Sequence, residues 1–536
     1  MSTVAAARST LRLPRQIPYI IGNEACERFS FYGMRNILTP FLVSTLLLDA
    51  PAAERAGLAK DVFHSFVIGV YFFPLLGGWL SDRFFGKYNT VLWFSLIYCT
   101  GHALLAAFDD DRRGFYAGLF LIALGSGGIK PLVVSFVGDQ FDRSSRGLAK
   151  VVFDAFYWSI NFGSFFASLL MPIFLREYGP AVAFGIPGIL MGIATLVFWL
   201  GRTQYVRVPP TRGQDPHSFF HVAATALSAR AEGRGRPGLV LAACGATLAA
   251  VLLVCWALKP AFWPAQFEFV ITFCLALGAL IVFGGVGTAL QLERARGYHP
   301  DQAIDDVRSV LRVLIVFGLV TPFWSLFDQK ASTWVLQGSA MRVPHDAWWW
   351  PSWLVREAAQ MQAINPLLVM LLIPVNNLFL FPLLRRAGYE PTALRRMGWG
   401  IALSGLAWIG AGAIQLHIDS GAPTSLAWQI FPYLLLTTGE VLVSATALEF
   451  AYSQATTAMK GVIMAFWYLS ITFGNLWVLL TNAAVRNDAV TAHIAGTGFS
   501  EPAFLMFFFA VFAFAAALAF ALYARRYPLQ DHYRTA

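Results

Sequence analysis

The sequence predicts an all-α polytopic membrane protein: two six-helix bundles with two extra helices between them, fourteen crossings in all. Three observations predict it. Hydrophobic residues make up 57% of the 536 and charged residues only 13%, with a mean hydropathy of +0.59. Soluble domains carry about 25% charged residues, and 47 Phe with 17 Trp would leave a water-facing surface far too apolar. Apolar stretches of about 20 residues, enough to cross a bilayer, recur along the chain. Lys and Arg gather in alternate loops, as the positive-inside rule requires of a multi-pass protein.

Taken in order, residues 1–16 form a tail carrying Arg8, Arg12 and Arg15. Helices are expected over 17–47, 59–80, 88–108, 114–137, 151–175 and 180–200, the N-terminal bundle (17–200). The first already holds Glu24, Glu27 and Arg28, so it lacks the uncharged core of a signal peptide and is expected to be retained. Residues 201–237 are polar and rich in Arg and Gly, a linker. A hairpin of two plain lipid-facing helices follows over 238–290 (238–258 and 267–290), then a second linker over 291–311. Helices over 312–336, 358–384, 397–416, 427–454, 461–483 and 501–524 make the C-terminal bundle (312–524), and 525–536 form a tail. Gly77–Lys87 and Phe381–Gly388 close the second helix of each half with Arg and Gly at corresponding places, a weak parallel repeat.

An even number of crossings puts both termini on one side. Counted that way, the opposite face holds only Arg55, Lys60, Arg112, Arg113, Arg176, Lys259, Arg342, Arg356 and Arg486, so the termini are expected in the cytoplasm of a cell-membrane protein. The net charge of +9 then reflects loops facing anionic lipid, and no nucleic-acid partner is expected. The five Cys all lie in apolar stretches without metal-ligand spacing, so neither a zinc site nor a disulfide framework is predicted.

Charges at a helix centre cost about 2.5–3.5 kcal/mol each on insertion scales, which makes them the informative residues. Glu24, Glu27, Arg28, Phe31, Tyr32 and Arg35 form one helical stripe. An ionic cluster there could simply lock helices together, but buried ion pairs stabilise poorly compared with apolar packing, and the wall of a polar cavity is the better reading. Lys130 lies in a Gly-rich helical segment ending at Pro131, with no strand–turn–helix context for a dinucleotide site. Asp328 and Glu440 are buried acids of the C-terminal half, and pairing across the halves is their cheaper arrangement. Glu449 lies near a helix end and reads as solvated. Spacing alone gives His64 only the ordinary role of a hydrogen-bonded histidine. Asn161 and Asn365 add neutral donors; Tyr71, Tyr157, Trp324 and Trp467 add aromatic surface.

Glu24-Ala25-Cys26-Glu27-Arg28-Phe29-Ser30-Phe31-Tyr32-Gly33 resembles the ExxERFxYYG signature of proton-dependent oligopeptide transporters of the major facilitator superfamily, with Phe31 for the first Tyr. Phe156–Ser164 resembles the family's FYxxINxGS signature, and the segments 125–141, 322–337 and 431–475 are similar too. The inserted pair 238–290 resembles the prokaryotic branch, and the loop 417–426 is too short for the large extracellular domain of animal members. The resemblance implies twelve core helices around a central site and a carrier that works as a monomer. It implies that Arg28, Arg35 and Lys130 handle a peptide carboxylate, that Glu440 and Asn365 handle the amine, and that Asn161 contacts the peptide. Tyr32, Tyr71, Trp324, Trp467 and Ser444 fall at pocket-lining positions, and His64 matches a histidine important in animal members. Asp328 stands where many bacterial members have Glu.

The implied substrates are di- and tripeptides, the coupling ion is the proton, and no metal or other cofactor is implied. Arg35–Asp328 and Lys130–Glu440 are the expected gate pairs. Glu24, Glu27, Arg28, His64 and Asp328 are the expected proton-coupling residues. An exporter of drugs or another small organic solute would share the two halves without needing cations and a carboxylate on opposite walls. A nitrate-type anion carrier would avoid Glu24 and Glu27. No HExxH, nucleophile elbow or ligand cluster points to an enzyme.

Overall fold

The computed structural model describes residues 14–141, 146–210, 215–230, 235–454 and 459–528. Arg8, Arg12 and Arg534 lie outside them. The described chain is helical. The first stretch is α1 (Ile17–Phe41), followed by a π-helical turn (Leu42–Leu46), then α2 (Ala52–Leu80), a second π turn (Ser81–Phe85), α3 (Gly86–Ala107), α4 (Arg112–Asp139), α5 (Arg146–Tyr178) and α6 (Pro180–Leu200). The linker contains α7 (Phe219–Ser228), and the hairpin is α8 (Pro237–Leu258) and α9 (Phe269–Gln291). Next come α10 (Asp301–Asp328), the short α11 (Thr333–Ser339) and α12 (Ile364–Val375); a third π turn (Asn376–Leu380) leads into α13 (Phe381–Arg386). The chain ends with α14 (Ala393–Asp419), α15 (Ile430–Ser453), α16 (Lys460–Ala484), the short α17 (Asp488–Gly496) and α18 (Glu501–Ala524).

Twelve helices among the described residues are long and apolar enough to cross a membrane. Ala52–Ala107 counts once among them although it holds both α2 and α3, and α1, with its four charges, is not in that number. The protein is therefore a multi-pass, all-helical membrane protein. The π turns at Ser81–Phe85 and Asn376–Leu380 fall in the two segments that the weak repeat pairs or directly before them.

Three elements differ from the sequence reading. The linker 201–237 contains a short helix: Phe219, Val222 and Ala226 form a short apolar stripe, and all three are buried on α7. The second linker is mostly helix, because α10 begins at Asp301, eleven residues before the expected 312. Its first turns bury Ala303, Ile304, Val307 and Val310, while Arg308 pairs with Asp305 and Glu293 at the surface. An amphipathic extension like this is invisible to a hydropathy window. Likewise α2 starts at Ala52 rather than 59, through charged turns holding Glu54 and Arg55.

The chain forms two compact units. The first comprises Met1–Ile37 and Phe73–Arg212. In it α3 packs along α4 and α6, and α5 along α6. Close approach is obligatory where the second half of α2 meets α4: a Cβ on Gly77 would sit 2.3 Å from the Gly127 carbonyl oxygen. Lys87 after the turn pairs with Asp139 at the end of α4 at 2.6 Å.

The second unit comprises Leu38–Phe72 and Gly213–Ala536. Here α14 packs on α15 and α18, α10 on α16, and α8 on α9. One continuous core runs from α7 through α10 and α14 to α18. The end of α1 and the first half of α2 are built into this unit. Thr39 donates to the Ala331 carbonyl at 2.9 Å, and Asp61 pairs with Arg486 and accepts from Asn482.

Candidate functional site

In the first unit the α1 stripe is buried. Glu24, Glu27, Arg28 and Arg35 are each less than a tenth exposed. Helical geometry places Glu24 one turn before Arg28, and the Arg28 Nε–H donates to Glu24 Oε1 at 2.6 Å. Glu27 Oε2 lies 2.9 Å from the same nitrogen, yet neither Glu27 oxygen has a hydrogen-bond partner. One Nε–H thus serves two carboxylates and satisfies one.

Lys130, buried on α4, sits over the Phe31 ring with Nζ 3.5 Å from its centroid, a cation–π contact, and its charge also acts on Glu24. Tyr32 meets Phe31 edge to face and lies close enough to Arg28 to interact with it electrostatically. Asn161 on α5 donates to the Tyr157 carbonyl at 3.0 Å, one turn back. The structure thus gathers Glu24, Glu27, Arg28, Tyr32 and Lys130 around one turn of α1, with Arg35 farther along the same stripe and Asn161 on α5 of the same unit.

The second unit holds the other candidates in two groups. His64 on α2 is fully buried. Its Nδ1 lies 2.7 Å from Asn475 Oδ1 and its Nε2 lies 2.9 Å from Ser332 Oγ. Asn475 Nδ2 donates to Asp328 Oδ2 at 2.8 Å, which fixes the amide so that its oxygen faces the imidazole. Nδ1 therefore carries the hydrogen, and Nε2 faces the Ser332 hydroxyl. The Ser332 hydroxyl can donate to a neutral Nε2 or accept from a protonated one.

In the other group, Asn365 on α12 donates to Glu440 Oε2 at 2.6 Å and to Thr437 Oγ1 at 3.1 Å. Ser444 lies one turn beyond Glu440 on α15 and is half-buried. Trp324 and Trp467 meet edge to face, with centroids 5.6 Å apart. A Cβ on Gly474 would sit 2.5 Å from the Cβ of Trp324, so that glycine lets α16 approach α10 beside the indole pair. Tyr71 stacks on Tyr468 at 6.3 Å. Glu449 is exposed and pairs with Arg396 at 3.5 Å.

Sequence reasoning missed Asn475, Ser332 and Thr437. The available signal was register: Asn475 lies two turns beyond Trp467 on one face of α16, and Thr437 lies three residues before Glu440 on α15. Among the described residues no cluster of His, Cys, Asp and Glu is arranged to hold a metal.

Comparison with known proteins places the chain. The profile of the POT family matches residues 88–494. A crystal structure of an auto-inhibited POT family peptide transporter is 65% identical, with a TM-score of 0.92 over 98% of this chain and 99% of that one. The in meso crystal structure of the POT family transporter PepTSo is 62% identical, with a TM-score of 0.92 over 97% of this chain and all of that one. Peptide transporter 3 of Caenorhabditis elegans is 30% identical over 76% of this chain and 51% of its own length. The chain spans about half the length of the curated relatives it matches. The fold is that of the POT transporters, and the chain belongs to the POT family, the proton-dependent oligopeptide transporters.

Proposed function

We propose that this protein is a proton-coupled symporter that imports di- and tripeptides by alternating access and works as a monomer. The observation that carries this reading is the shared Arg28 nitrogen: two buried carboxylates compete for it, and only Glu24 holds its hydrogen bond. A proton on one acid leaves the guanidinium free for a third carboxylate, that of a peptide. Guanidinium suits such a partner because it binds carboxylates bidentately. Arg28, Arg35 and Lys130 then hold the peptide's carboxylate, while Glu440, presented by Asn365, holds its amine. Asn161 contacts the backbone, and Tyr32, Tyr71, Trp324, Trp467 and Ser444 line the space for variable side chains.

His64 delivers the proton through Nε2, with Asp328 beyond Asn475 as its electrostatic partner. Arg35–Asp328 and Lys130–Glu440 alternate as gates when the halves rock. In this reading α1 and the two helices within Ala52–Ala107 complete fourteen crossings: bundles over 17–200 and 312–524 with the hairpin 238–290 between them. Both termini face the cytoplasm of the cell membrane.

Uptake of a labelled dipeptide into proteoliposomes with an acidic exterior tests the reading. Accumulation that collapses when a protonophore is added supports it. Uptake that ignores the gradient, or transport of organic solutes without peptides, favours another major facilitator carrier.

A further inference from the structure

Between α11 and α12 the chain leaves one apolar stretch long enough to span a membrane at Ser339 and enters the next at Ala358. The transport cycle leaves the connecting residues 340–357 without a task. They include Trp348, Trp349, Trp350 and Trp353. Three of these point outward: Trp348 is 96% exposed, Trp353 74% and Trp349 52%. An indole held in water leaves a large apolar area unburied, so three together on one loop call for an occupant.

The loop holds them there. At its start the Arg342 amide donates to the Thr424 carbonyl and the Leu426 amide donates to the Arg342 carbonyl, both at 2.8 Å. At its end Gln360 Oε1 accepts from the amides of Arg356 and Glu357 at 2.7 and 2.8 Å, and Gln360 Nε2 donates to the Leu354 carbonyl at 2.8 Å. Between these ties Trp350 turns inward. It is buried in the core of the second unit, and its Nε1–H donates to the Val355 carbonyl at 3.1 Å. One indole thus pins the loop while its neighbours are presented to the outside.

We propose that residues 348–353 are an interfacial anchor, with Trp348, Trp349 and Trp353 lying in the phospholipid headgroup layer. The occupant follows from continuity with the bilayer. The chain is membrane-spanning on both sides of the loop, so the loop starts and ends at the membrane surface. That surface offers an indole what neither water nor hydrocarbon offers alone: apolar contact for the ring and phosphate or ester oxygens for the N–H. The charges of Arg342 and Arg356 in the loop are matched by Asp346 and Glu357. The anchor therefore reads the amphipathic layer common to glycerophospholipids and does not select anionic ones. A soluble protein partner or a second copy of this chain would need the loop to stand clear of the headgroups.

The test uses the full-length carrier in lipid nanodiscs, with Trp348→5-hydroxytryptophan so that one indole is excited apart from the other tryptophans. Phosphatidylcholine carrying a nitroxide on its headgroup should quench its emission several-fold. A water-soluble nitroxide should quench it several-fold less than it quenches free 5-hydroxytryptophan. Both results should hold with and without phosphatidylglycerol. If that variant does not fold, the difference in emission between the wild type and Trp348→Phe under the same two quenchers reads the same indole. Quenching by the aqueous nitroxide as strong as for the free amino acid, with none by the lipid, would overturn the proposal and leave the loop to water or a soluble partner. Protection from both quenchers in proteoliposomes, lost at one copy per nanodisc, would assign the surface to a second copy and overturn it too. A requirement for phosphatidylglycerol would contradict the headgroup-independent anchor.

Discussion

Glu440→Gln removes a charge and almost nothing else. Asn365 donates to Glu440 Oε2 at 2.6 Å and to Thr437 at 3.1 Å, and a glutamine carbonyl at 440 can accept the same hydrogen. Local packing should persist, so the change isolates the electrostatic contact with a peptide amine. A hydrogen bond to a charged group is worth about 1.5–3 kcal/mol, which converts to a roughly 10- to 150-fold loss of affinity. Competition against a labelled dipeptide in proteoliposomes reads this directly. Free dipeptides should weaken by that factor, and N-acetylated dipeptides, which lack the cationic amine, should change little. Equal losses for both ligands would refute the assignment of Glu440 to the amine.

Further expectations follow from other parts of the chain. Cysteines at 35 and 328 should crosslink and arrest transport; absence of a crosslink while both react with thiol reagents would argue against the gate pair. Gly77→Ala places a Cβ 2.3 Å from the Gly127 carbonyl oxygen, and overpacking of this kind costs about 1–3 kcal/mol, so thermal unfolding in detergent should occur at lower temperature, and an unchanged transition would contradict the close approach. In the linker, His299 lies 3.0 Å from His217 and 2.8 Å from Thr225, and burial, then the charges of His217 and His221, hold it below its ordinary 6.5. The fold prefers neutral His299, so its contribution is complete above about pH 6.5 and is lost as pH falls below that value. Hydrogen-exchange protection across α7, corrected for the intrinsic slowing of amide exchange at lower pH, should fall on acidification, and protection that stays flat down to about pH 5 would contradict this.

Much of the fold was legible because lipid imposes a simple rule. Long apolar stretches had to be helices with every backbone group paired internally, and the beginnings and ends of α6, α8 and α18 agree with the sequence reading to within a residue. What escaped was structure outside that rule. The first turns of α10 and the whole of α7 are amphipathic, so a window average diluted Ile304, Val307 and Val222 with their charged or polar neighbours.

The α1 stripe was visible from spacing alone, since 24, 27, 28 and 35 fall on one helical face. The environment of His64 was not. Asn475 and Ser332, its partners, are 411 and 268 residues away in the chain, and neither residue type stands out among apolar neighbours.

In the proposed transport cycle, Glu27 couples proton entry to peptide binding through Arg28. One charge crossing 100 mV releases about 2.3 kcal/mol, enough for roughly 50-fold accumulation of a neutral peptide. The direct measurement is Glu27→Gln in proteoliposomes, assayed for uptake under an imposed proton gradient and for exchange in vesicles preloaded with dipeptide. Accumulation should disappear and exchange should survive, since Arg28 still binds the peptide while no proton is carried. A variant that still concentrates dipeptide under the gradient would contradict it.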